Sequence, residues 1–159
     1  LGLTTTAKTG SSGTFSLTPP ATTVGVTAST DTLYEAGATS ATLTVVDAKK
    51  LVPSKTISLG DGMRPMGTLV SPDGRFLYVT TGRSKMVLIL DTSTDKVVGS
   101  IEVGPRPWGV ALSADGKTLF TANGPSDDVS VVDLGTKQVV AKIPVGKGPW
   151  GLALIEGVR

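Results

Sequence analysis

One hexapeptide recurs along this chain, and it leaves few folds open. Pro149-Trp150-Gly151-Leu152-Ala153-Leu154 restates Pro107-Trp108-Gly109-Val110-Ala111-Leu112, and Pro65-Met66-Gly67-Thr68-Leu69-Val70 holds the same register one unit earlier, 42 residues apart each time. Between these anchors the units align without gaps. Ser71-Pro72-Asp73-Gly74 falls on Ser113-Ala114-Asp115-Gly116, Leu77-Tyr78 on Leu119-Phe120, Asp91 on Asp133 and Val97-Val98 on Val139-Val140. Roughly 16 of about 40 positions are identical, and a fixed period of this size marks an architecture built from stacked supersecondary units.

Each unit holds four short apolar or alternating runs, in the last full one Gly109–Leu112, Thr118–Ala122, Val129–Val132 and Val139–Ile143. All are long enough for a strand and too short for a helix. Tight-turn chemistry separates them: Asp115-Gly116 is a strong hairpin signal, Asn123-Gly124-Pro125 breaks the next run, and Asp133 to Thr136 opens another turn. A four-stranded antiparallel meander of about 42 residues has the size and strand count of a β-propeller blade. The expected fold is therefore all-β, built of such blades.

The earlier units are degenerate. Leu33-Tyr34, Leu43–Asp47 and Lys55–Gly60 match second, third and fourth strands, Thr23–Ala28 fits a first strand, and two extra residues lie within Gly60-Asp61-Gly62-Met63-Arg64. Phe15–Thr18 and Leu1–Thr4 fall where a fourth and a third strand belong. The chain divides accordingly into a partial blade or irregular segment (1–20), a degenerate blade (21–64), two regular blades (65–106 and 107–148), and the first strand of a further blade with a tail (149–159). A ring needs about four to eight blades, so the expectation is a partial propeller completed by further blades or by another copy. A four-blade ring closed by pairing the two ends is an alternative.

Composition narrows the function. The formal net charge is +2, charged residues make up 18% of the chain, and no basic block stands out, which excludes nucleic acid as an expected partner. Histidine and cysteine are both absent. That removes the commonest general base, the thiolate nucleophile, disulfides and most transition-metal ligands, so no catalytic residue, metal site or cofactor is expected from the residues themselves. No apolar run is long enough to span a bilayer.

Tyr78-Val79-Thr80-Thr81 and Phe120-Thr121-Ala122-Asn123 resemble the YVTN signature of a class of bacterial and archaeal propeller repeats. The segments Thr81-Gly82-Arg83-Ser84, Trp108-Gly109, Thr121-Ala122-Asn123-Gly124, Asp128-Val129-Ser130-Val131 and Pro149-Trp150-Gly151 are similar to the C-terminal half of a narrower branch. That branch is the periplasmic propellers associated with pyrroloquinoline quinone (PQQ)-dependent alcohol catabolism. The resemblance covers residues 33–154. It implies a bacterial protein with a seven-bladed ring, a periplasmic, extracellular or cell-surface location, and PQQ as the one cofactor it admits.

The candidate binding residues are those that escape the repeat. Loops between second and third strands and loops joining blades emerge on one face of a propeller, and they carry Arg64, Arg83, Arg106, Asn123 and Lys147 together with Trp108 and Trp150. Cations gathered at a channel mouth attract an anionic ligand or an acidic protein surface. The two tryptophans either stack on a planar ligand or wedge adjacent blades, and their recurrence at one register favours the wedge. Asp73, Asp91, Asp115 and Asp133 recur at hairpin corners, where carboxylates accept backbone N–H bonds within turns, and the pair Asp127-Asp128 reads as solvated surface charge. The expected function is a non-enzymatic propeller that presents this loop face to a protein partner or larger assembly. The alternative is a cofactor-binding or enzymatic propeller subunit, PQQ-oxidoreductase-associated or lactonase-like.

Overall fold

Among the described residues fourteen strands follow one another, with one short 3-10 turn as the other regular element. The computed structural model describes residues 31–155 and, as backbone strands, Thr4–Thr9 (β1), Gly13–Leu17 (β2) and Thr23–Ala28 (β3). β3 continues through Thr32–Gly37 (β4), Thr42–Asp47 (β5) and Val52–Ser58 (β6) as one antiparallel meander. Pro65–Val70 (β7), Phe76–Thr81 (β8), Met86–Asp91 (β9) and Lys96–Glu102 (β10) form the second. Pro107–Leu112 (β11), Thr118–Asn123 (β12), Asp128–Asp133 (β13) and Gln138–Pro144 (β14) form the third, with a 3-10 turn at Gly124–Ser126. These are the all-β blades that the 42-residue period predicts. β1 and β2 pair as a separate antiparallel hairpin, while Leu1–Leu3 and Thr18, also read as strand from sequence, lie outside the described residues. Residues 149–155, expected to open a further blade, carry no strand assignment but run beside β11, the Gly151 Cα lying 2.8 Å from the position a Gly109 Cβ would take.

The blades pack face to face, and side-chain alternation along the middle blade explains how. Leu77 and Val79 of β8 and Leu88 and Leu90 of β9 point one way, onto Tyr34, Ala36, Leu43 and Val45 of the first blade. Tyr78, Val87 and Ile89 point the other way, onto Leu119 and Val132 of the third. The sequence Met-Val-Leu-Ile-Leu-Asp of β9 thus fails to alternate because both of its faces are covered. The outermost strands β6, β10 and β14 are largely exposed.

The inner strands β3, β7 and β11 stand side by side, and close backbone approach between β7 and β11 requires glycine. A Cβ on Gly67 would lie 2.6 Å from the Trp108 carbonyl oxygen, and one on Gly109 would lie 2.8 Å from the Gly151 Cα. A hydroxyl bridges the first of these junctions: the Gly67 N–H donates to Thr80 Oγ1 (2.7 Å), which donates in turn to the Trp108 carbonyl (3.0 Å).

The recurring aspartates serve the turns. Asp47, Asp91 and Asp133 accept backbone N–H bonds from residues two or three positions on, such as Ser93 (2.9 Å) and Thr94 (3.0 Å) for Asp91. Asp73 and Asp115 accept from Ser71 and Ser113 hydroxyls and from the Arg75 and Lys117 N–H groups. These bonds hold all five carboxyls below their ordinary 3.8; the Ser93, Ser71 and Ser113 hydroxyls lead for Asp91, Asp73 and Asp115, and the Lys50 and Thr136 N–H groups lead for Asp47 and Asp133. A folded-state pKa below the unfolded one adds stability that is complete above the unfolded value and is lost as pH falls through the folded one. The melting temperature is therefore expected to hold down to about pH 5 and to fall below about pH 4, with a shallower fall in Asp91→Asn and Asp133→Asn. A fall equally steep in these variants assigns the acid loss to other groups.

Candidate functional site

The face carrying the candidate residues is fixed by a repeated backbone bond between its two sets of loops. Leu59 N–H donates to Ala41, Val103 to Lys85 and Val145 to Asp127, each tying the loop that joins blades to the loop between second and third strands. The opposite face is tied by Thr92 to Arg75 and Leu134 to Lys117. Arg64, Arg83, Arg106, Lys147 and the two tryptophans all belong to the first face, and Lys96 and Lys117 to the second.

Trp108 owes its direction to a bulge. Pro107 pairs with Asn123 and Gly109 with Ala122, which leaves Trp108 as the extra residue, and a bulged residue is re-aimed out of the pleat. Its indole lies over Gly124, where a Cβ would collide with the ring, and stacks on Trp150 with centroids 4.4 Å apart and planes 25° from parallel. The Arg106 guanidinium sits 5.3 Å from the Trp108 ring centroid, within cation–π range. Arg106 holds this place with φ +49°, a left-handed conformation; Gly148 occupies the same register of the next unit with φ +62°. A non-glycine residue there stores strain of about 1 kcal/mol or more. Trp108 is half-buried and Trp150 is 64% exposed, and the stacked pair joins two consecutive units on the loop face.

The remaining candidates separate. Arg64 and Arg83 come together in a cleft of about 350 Å³ between the first two blades. Lys147 is exposed on the loop before Trp150. Asn123 is fully buried, and its amide is consumed internally: Nδ2 donates to Asp128 (2.6 Å) and Ser130 (2.8 Å) while Oδ1 accepts from Thr121 (3.0 Å). It holds the blade together and faces no ligand, because the neighbouring Gly104 leaves room for its side chain alone. Asp127 and Asp128 are likewise half-buried and engaged, Asp127 accepting the Gly148 N–H at 2.8 Å. A buried Asn with an Asp five residues on was the available signal, obscured by an adjacent turn sequence that reads as a loop.

Groups able to ligate a metal are sparse. Among the described residues no three His, Cys, Asp or Glu side chains cluster. Tyr34 and Tyr78 are buried in the interblade cores, where burial above all pushes their phenols above the usual range. The Met63 sulfur accepts the Ser84 hydroxyl at 3.1 Å.

A family model described as "Cytochrome D1 heme domain" matches residues 30–149. Among solved structures, "Kuenenia stuttgartiensis Hydrazine Synthase" is similar at 28% sequence identity and a TM-score of 0.74, over 82% of this chain and 38% of that one. No curated protein matches the sequence. The chain thus spans well under half of the structure it resembles. Both findings carry the propeller implied by the sequence; neither carries the YVTN repeat class or the PQQ association.

Proposed function

Because the chain belongs to the Cytochrome D1 heme domain family, we propose that it forms consecutive blades of a propeller in a cofactor-using enzyme, or in a subunit assembled with one. The family match and the hydrazine synthase neighbour favour this reading over a stand-alone non-enzymatic scaffold. Further blades or another copy complete the ring. Among the described residues no helix is long and apolar enough to cross a membrane. A periplasmic or cell-surface location goes with the proposal, and fractionation of the source cells against compartment markers checks it.

Within that propeller these blades supply wall and mouth. Haem iron takes His, Cys, Met or Tyr as an axial ligand. This chain has neither of the first two, its tyrosines are committed to the core, and of its three methionines Met63 already receives a hydroxyl while Met66 packs against Gly82 and Met86 is half-buried at the start of β9. The residues present therefore do not fit iron coordination, and in this reading an iron ligand comes from other parts of the protein.

The observation that carries the reading is the Arg106–Trp108–Trp150 array, a cation beside stacked indoles on the loop face. A flat group bearing negative charge suits such a surface. The two indoles are the only tryptophans in the chain, so its intrinsic fluorescence reports on this array alone. Protoporphyrin, a planar dicarboxylate, is expected to quench that fluorescence saturably, less strongly as salt rises, and with affinity reduced roughly tenfold in Trp150→Ala. Hemin is expected to bind with the same affinity. Absence of saturable quenching overturns the mouth as a binding surface, and a hemin-specific spectral shift overturns the assignment of iron ligation to other parts of the protein.

A further inference from the structure

Among the described residues, the cleft between the first and second blades combines a break in the repeat with two arginines in its lining. Equivalent left-handed turn residues recur 44 positions apart from the first blade to the second (Ala41 to Lys85, Leu51 to Asp95) but 42 apart from the second to the third (Lys85 to Asp127, Asp95 to Lys137). The two extra residues fall in the 60–64 loop, and that loop forms a wall of the cleft through Asp61, Gly62, Met63 and Arg64. Ala38–Ala41 form another wall, and Arg83 reaches in from the loop between β8 and β9. At the next junction Arg106 stands in register with Arg64, but Pro125 replaces Arg83. Two arginines therefore line this junction, and only one stands at the other.

Among the described residues neither arginine is ion-paired; the salt bridges join Lys49 to Asp31, Lys50 to Asp47 and Lys55 to Asp95. Arg64 is half-buried and Arg83 exposed. The loops bearing them are tied together by the Gly82 N–H donating to the Arg64 carbonyl at 2.7 Å, which limits how far the two heads can separate. Asp61, exposed at the cleft, is its one carboxylate, so the net charge of the lining is that of a single cation.

We propose that this cleft binds a compact oxyanion, a phosphate or carboxylate group of a small molecule, held by Arg64 and Arg83 together. Planar guanidinium forks match both groups by paired, charge-assisted hydrogen bonds, and about 350 Å³ is at the small end of the range of ligand pockets. The site stands on the cleft alone and does not depend on the enzyme-associated reading above.

The test is a titration of the full chain with inorganic phosphate and, separately, with succinate, against sodium chloride at matched ionic strength, followed by backbone amide NMR. Saturable shifts confined to residues 38–41, 61–64 and 82–85 are expected, with half-saturation at about 1 mM or below, for at least one of the two probes; the tighter one identifies the preferred group. Arg64→Gln and Arg83→Gln each weaken binding roughly tenfold, and Lys117→Gln on the opposite face leaves it unchanged. Asp61→Asn is expected to tighten binding about threefold, a gain that damaged folding does not produce. Linear shifts spread over the surface, equal effects of chloride, or loss of binding in Lys117→Gln would overturn the proposal. So would an acidic peptide saturating these amides when neither small anion does, which would make the cleft a protein-docking site instead.

Discussion

Gly67→Ala is expected to cost about 2–3 kcal/mol of folding stability, at the upper end of what overpacking a filled site exacts. The added Cβ would sit 2.6 Å from the Trp108 carbonyl oxygen and 3.1 Å from Thr80 Oγ1. The nearer obstacle is backbone of the next inner strand, which cannot rotate aside as a side chain would. Relief requires the second and third blades to move apart, stretching the Gly67–Thr80–Trp108 hydrogen-bond relay. Gly151 holds the same register two units on and has nothing within 4 Å of its Cβ position, so Gly151→Ala should be close to neutral. Urea unfolding of the two variants checks this. A Gly67→Ala midpoint equal to the parent's would show that the inner strands yield easily, and a comparable loss at Gly151 would show that another blade or copy packs there.

Asn123→Ala should destabilise by about 2–4 kcal/mol, since it removes a buried amide and strands its partners. Asp128, Ser130 and Thr121 each lose a hydrogen bond at once. Asn123→Asp is the sharper variant. It would set a carboxylate against that of Asp128 in a site with no cation among its hydrogen-bonded neighbours. Like charges so close keep one carboxyl protonated, so the stability deficit of Asn123→Asp relative to the parent should shrink as pH is lowered toward 5, the opposite of the acid response of the turn aspartates. A deficit that does not change with pH would mean that Asp128 swings away into solvent.

Both variants bear on which features were legible in the residues alone. The blade period, the strand positions and the turn carboxylates were readable because each depends on chemistry within a few residues: alternation along a strand, an Asp accepting N–H bonds two or three positions on, a Gly that turns a hairpin corner. The common face of the loops was legible too, since meander topology puts every second connection on the same side. Trp108 was harder. Its recurrence pointed to a contact between adjacent units, but the direction of the indole depends on a bulge, visible only once β11 pairs with β12, and on the Trp150 ring that it meets. Asn123 sat in a sequence that looks like an exposed loop, and only the neighbouring backbone at Gly104 encloses it.

What the sequence determined by itself is therefore the repeating unit: its length, its four strands, its turns, and the absence of histidine and cysteine that keeps these blades from supplying the usual metal ligands. What the tertiary structure decided is which side chains meet. Arg64 and Arg83 lie nineteen positions apart on separate loops and share a cleft because two blades abut; Trp108 and Trp150 stack because the missing Cβ at Gly109 lets the backbone of the Trp150 segment come close to β11. Local hydrogen bonding sets each strand and turn from neighbours in the chain, whereas the packing of one blade on the next depends on contacts about forty residues distant, which no short stretch encodes.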